Sequence, residues 1–110
     1  MEETKEDNIE EIKKKLKTYE RKDIEFNEPE FTERLILREG NREEVIKNLL
    51  NPENLIHSEN FNDQYGSTRH NIYFKISNNR TMKLPVIFDR KGKKTLYIIT
   101  YIMRYRKWHR

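Results

Sequence analysis

From about residue 69 the chain repeats its apolar side chains every second residue, and that change of period most restricts its fold. Ile72, Phe74 and Ile76 alternate with Asn71, Tyr73 and Lys75, and Met82, Leu84, Val86 and Phe88 repeat the pattern. A period of two sends successive side chains to opposite faces of a strand. Residues 77–80 (SNNR) and 90–93 (RKGK) carry turn formers, so these runs and residues 94–103 read as strands joined by hairpins. Residues 94–103 are apolar or aromatic on both faces, which predicts a central position in the sheet. Pro85 has no backbone donor, which predicts a bulge or an edge there. Residues 55–59 make a short strand at best, and residues 60–68 read as a polar loop.

Before residue 55 the apolar period is helical. Ile9, Ile12, Leu16 and Tyr19 form one stripe within residues 4–20, with Asp7 and Glu10 spaced as a capping box. Residues 21–27 form a linker or short extended piece. Pro29 suits the first turn of a second helix, whose buried side is Phe31, Leu35 and Ile36 and whose stop is Gly40. Asn41 caps a third helix with Val45, Ile46, Leu49 and Leu50 on its apolar face, and Asn51-Pro52 ends it. Helices first and strands afterwards predict an α+β fold, with N-terminal helices packed on one face of a three- to four-stranded antiparallel sheet. The expected division is an N-terminal helix and linker over 1–23, then an α+β domain over 24–110 with a basic tail.

Charge divides along the same line. Residues 1–60 hold 11 Lys and Arg against 17 Asp and Glu, whereas residues 61–110 hold 12 against 2. Such a split fits an acidic half and a half facing nucleic acid, or two halves that attract each other. There is no cysteine, which excludes disulfides and thiolate metal sites. No apolar run approaches the roughly 20 residues that cross a bilayer. No charged-then-apolar leader opens the chain. The expected place is the cytoplasm, with no membrane partner.

The sheet face opposite the helices draws the functional reading. Arg69, Asn71, Tyr73 and Lys75 share it with Lys83, and the last strand adds aromatic residues whose facing the pattern leaves open. Residues 104–110 then read RYRKWHR. Cations neutralise phosphates and rings stack on splayed bases, so this mixture suits single-stranded nucleic acid. Tyr105 and Trp108 as packing anchors, with the cations merely solvated, is the plainer alternative. Lys83, Arg90, Lys93, Arg106, Lys107 and Trp108 are the binding candidates. Metal-free RNA cleavage needs a base, an acid and cations for the phosphorane. Histidines, tyrosines and cations of the right types are present, at spacings that diagnose nothing by themselves. His57 and His70 read as surface histidines at strand ends. A metal nuclease is disfavoured, because residues 61–110 offer only Asp63 and Asp89 as carboxylates. No cofactor motif is present.

Residues 31–56 resemble the helical half of small domains related to the RelE/ParE toxin superfamily. Phe31-Thr32, Arg34 and Arg38, Gly40-Asn41, Glu43-Glu44-Val45 and Asn51-Pro52 carry the likeness, and residues 98–101 (IITY) look like the family's last strand. It spans roughly residues 24–103. It implies a toxin that cuts mRNA, free or on the ribosome, held by an acidic antitoxin. Arg69, Tyr73, Lys75, Tyr101, Arg104 and His109 become the catalytic candidates by that similarity. Related domains often carry a histidine after Phe-Thr, where this chain has Glu33. A non-catalytic nucleic-acid-binding module and a protein-interaction domain, dimeric through its first helix, are the other classes.

Overall fold

Local chemistry sets the start and stop of each helix over residues 4–105, the part that the computed structural model describes. After β1 (Lys5–Glu6), Asn8 opens α1 (Ile9–Leu16) by accepting the Glu11 N–H at 3.1 Å. The cap is Asn8 and not Asp7, because the Asp7 carboxylate is taken by Ser58, Asn60 and His70. Ile12, Leu16 and Tyr19 are buried in the common core. A single turn, Arg21–Asp23, leads into β2 (Ile24–Phe26).

The next two helices are α2 (Glu30–Leu37) and α3 (Arg42–Leu50). Phe31 and Leu35 are buried on α2, but Ile36 is 70% exposed, so it is not on the buried side expected from its sequence. Asn41 caps α3 through the amides of Glu43 and Glu44. Val45, Ile46 and Leu49 are buried. Five strands follow: β3 (Leu55–Asn62), β4 (Thr68–Ser77), β5 (Arg80–Phe88), β6 (Leu96–Ile98) and β7 (Ile102–Arg104).

The fold is α+β, yet the expected sheet was too small and too simple. The strands form one seven-stranded mixed sheet in the order β1-β3-β4-β5-β6-β2, with β7 also paired to β5. β2 lies parallel to β6, and the helices do not all precede the strands. β1 and β2 span two and three residues, too few for a period to register. β3 is longer than expected because Phe61 and Asn62 still pair with Arg69 and Thr68. Apolar side chains of α1, α2 and α3 meet Ile72, Phe74, Leu84, Val86 and Ile98 on one face of the sheet.

The last apolar run is two strands, not one central strand. Val86 pairs with Ile98 and Lys83 with Ile102, so Ile99, Thr100 and Tyr101 stand opposite Leu84 and Pro85. One extra residue on one strand is a bulge, and it reverses the facing of everything after it. Pro85 is its physical cause. The Pro85 carbonyl accepts the Ile99 N–H at 2.9 Å, so its nitrogen points at the same neighbour and has no hydrogen to give.

Beyond the bulge Tyr101 turns into the core, 1% exposed, with its ring against Phe31 at 6.2 Å. Gly40 makes room for it. A Cβ there would lie 2.7 Å from Tyr101 Cζ and from Leu35 Cδ1. The left-handed residue that ends α2 is instead Glu39, with φ 52°. The Gly40 N–H donates to the Leu35 carbonyl and the Glu39 N–H to that of Ile36, a Schellman ending. Two substitutions separate the roles. Gly40→Ala should lower stability by about 1–3 kcal/mol through overpacking. Glu39→Gly should raise it by about 1 kcal/mol through relief of the left-handed backbone. Denaturant midpoints measure both, and opposite signs are the expected result.

Candidate nucleic-acid interface

Register decides which side chains share the face turned away from the helices. His57, Tyr73, Lys83 and Ile102 pair across β3, β4, β5 and β7. Lys75, Thr81 and Arg104 form the adjacent row. Toward the other end Phe61 pairs with Arg69, and Ile87 pairs with Tyr97, which pairs with Glu25. Arg69, Tyr73, Lys75, Lys83 and Arg104 therefore stand on one face. Tyr101 does not join them.

Tyr73 is the centre of the first cluster. Lys83 Nζ lies 5.7 Å and the Arg104 guanidinium 5.9 Å from its ring centroid. Its hydroxyl donates to Glu59 Oε2 at 3.0 Å, and Asn71 donates to the same oxygen at 3.2 Å. His57 Nε2 is 3.5 Å from Glu59 Oε1, and its ring lies 5.2 Å from that of Tyr73. Burial and the bond to Glu59 push the Tyr73 phenol up to about 12. Burial raises the Glu59 carboxyl, but hydrogen bonds from Asn71, Tyr73 and His57 outweigh it and hold the group below its usual range. Burial, and then Arg104, lower the Lys83 ammonium. The cluster thus combines a fixed carboxylate with two crowded cations.

Pairing reduces the number of available cations. Arg69 meets Asp63 at 3.0 Å, Arg80 meets Glu44 at 3.7 Å and Lys94 meets Asp23 at 3.6 Å. Arg90 lies 3.8 Å over the Tyr97 ring and 3.1 Å from Glu25. The two charge halves do attract each other, but only in part. Lys75, Lys83, Lys93 and Arg104 make no ion pair with the described residues. Lys93 sits exposed in the β5–β6 turn. Arg106, Lys107, Trp108 and His109 lie outside the described residues.

Two residues of the cluster were missed or undervalued from sequence. His57 is 5% exposed and not a bare surface histidine. Glu59 falls where the short-strand reading of residues 55–59 stops. The signal was its spacing, two residues from His57 and so on the same face of β3. His70 faces the helices instead, with Nδ1 2.9 Å from Asp7 Oδ2. Ser58 and Asn60 donate to that carboxylate at 2.6 Å each. Burial raises Asp7, yet Ser58, His70 and Asn60 together hold it below its ordinary 3.8.

Comparison with family models, with curated proteins and with solved structures found no match to this chain. No helix is long and apolar enough to cross a membrane. Among the described residues no group of His, Asp and Glu is arranged to hold a metal ion.

Two predictions follow from this geometry. The Tyr101 hydroxyl is buried with no hydrogen-bond partner among the described residues. Tyr101→Phe should therefore keep or raise stability, by up to about 1 kcal/mol, as read from its urea midpoint. A clearly lowered midpoint would show that the hydroxyl is satisfied after all. Asp7 contributes stability above its unfolded value, which is lost as pH falls through its lower folded value. Asp7→Asn should start less stable at neutral pH, by about 1–3 kcal/mol, and lose less between about pH 5 and 2. Urea midpoints across pH check the sign.

Proposed function

We propose that the sheet face turned away from the helices binds single-stranded RNA, as the effector of a toxin-like pair whose partner is acidic. The observation that carries this reading is the placement of Lys83 and Arg104 on the same Tyr73 ring, at 5.7 and 5.9 Å. Burial, and then Arg104, disfavour the charged Lys83 ammonium, and neither cation pairs with a carboxylate among the described residues. A phosphate between them relieves that repulsion and releases counterions. Phe61 and Tyr97, half-buried on the same face, supply rings against which bases stack, whereas the buried Tyr73 ring seats the two cations.

Glu59 favours a second reading, metal-free cleavage at the same place. Its ionised carboxylate takes the proton of a ribose 2′-hydroxyl, whose oxygen attacks the adjacent phosphorus. The phosphorus–O5′ bond breaks, and Lys83 or His57 protonates the leaving oxygen. The products are a 2′,3′-cyclic phosphate and a 5′-hydroxyl. Arg104 meets the charge that builds on the phosphorane.

Lys83→Glu combined with Arg104→Glu should weaken binding of a labelled oligoribonucleotide at least about tenfold and reduce its salt slope by about 2. Unchanged affinity would remove the RNA reading. Glu59→Gln decides the second one. If the wild type cuts RNA, this variant should cut about 10²–10⁴-fold more slowly with its affinity retained. Equal rates would rule Glu59 out as the base.

A further inference from the structure

A concavity opens on the same face, away from the Tyr73 cluster, and has a volume of about 450 Å³. Its floor follows the sheet register: Ile87 beside Tyr97 in one row and Ile99 in the next. Its rim is cationic, formed by Arg69, Arg90 and Lys91. Asn27 holds the remaining side, fixed by its N–H to the Ile98 carbonyl and its side-chain amide to the Ile99 carbonyl.

The rim cations differ in how firmly they are held. The Asp63 partner of Arg69 also accepts the backbone N–H groups of Tyr65 and Ser67, so that pair belongs to the β3–β4 loop. Arg90 lies on the Tyr97 ring, and its ion pair among the described residues is with Glu25, a 58% exposed carboxylate that a stronger anion displaces at small cost. Lys91 makes no ion pair among the described residues. Flat apolar floor, stacked guanidinium and cationic rim match a heterocycle joined to a phosphate. A carboxylate side chain would use the rim and leave the floor empty.

We propose that this concavity is a nucleotide subsite of the RNA-binding face. Base and ribose lie against Ile87, Ile99 and the Arg90–Tyr97 stack, and the phosphate rests on Lys91 and Arg90. The inference rests on the RNA reading above and shares Tyr97 with it, but Lys83 and Arg104, which carry that reading, do not line the concavity, so the two fail separately.

Uridine 5′-monophosphate, uridine and inorganic phosphate are titrated into the full chain, and backbone amide resonances are followed by NMR. The monophosphate should shift Arg90, Tyr97 and Ile99 saturably and bind more tightly than either fragment. Tyr97→Ala should weaken it by about tenfold, as loss of one stacking ring does. Lys91→Glu, in an exposed turn, covers the case in which Tyr97→Ala fails to fold, and should also weaken it. No shift at millimolar monophosphate overturns the subsite. Phosphate alone binding as tightly as the nucleotide overturns it in favour of a plain anion site. An oligoribonucleotide that needs Lys83 and Arg104 but is indifferent to Tyr97→Ala and Lys91→Glu overturns it while leaving the RNA face standing.

Discussion

A missing hydrogen at Pro85 decides what this molecule presents to its surroundings. Because that nitrogen cannot donate, the last apolar run gains one residue opposite it and changes facing partway along. Tyr97 stays on the outer face, Tyr101 and Met103 enter the core, and Ile102 and Arg104 come outward. In an unbroken ladder Tyr101 would have stood opposite Lys83, and Arg104 would have pointed at the helices. The inward Tyr101 in turn requires a residue without a side chain at position 40. One proline thus links the end of α2, the core and the composition of the outer face.

Electrostatics divides the same way as the layers. The acidic helical half and the basic sheet half meet in pairs such as Arg80–Glu44 and Arg90–Glu25. Those pairs, partly open to solvent, contribute little individually. What they do is leave a particular remainder, Lys75, Lys83 and Arg104, on adjacent rows of one face. A net charge of +4 conceals this arrangement, since most of the surplus is concentrated where the helices are not.

The sequence made legible whatever repeats over several residues. Ile12, Leu16, Val45 and Leu49 announce helices by period, Asn41 announces a cap, and residues 71–76 and 82–88 announce a hairpin. What stayed hidden has no period to read. β1 and β2 are too short, and their partners lie more than 50 residues away. The parallel pairing of β2 with β6 is a tertiary choice. Arg69, Lys75 and Lys83 were readable on the outer face from alternation alone, but the facing of Tyr101 and Arg104 was not, because a bulge leaves composition unchanged. Glu59 was overlooked because residues 60–68 look like a loop until Phe61 and Asn62 find their partners on β4.

The ends of the sheet carry one more consequence. A long bare strand at a border invites another chain to add to it, and from there fibres grow. Among the described residues the outermost strands are stubs: Lys5 and Glu6 on one side, Ile24 to Phe26 and Ile102 to Arg104 on the other. The first carries a charge of each sign, and the Asp7 carboxylate fastens it to Ser58, Asn60 and His70. A chain with a third of its residues in strands thereby offers little template for runaway stacking.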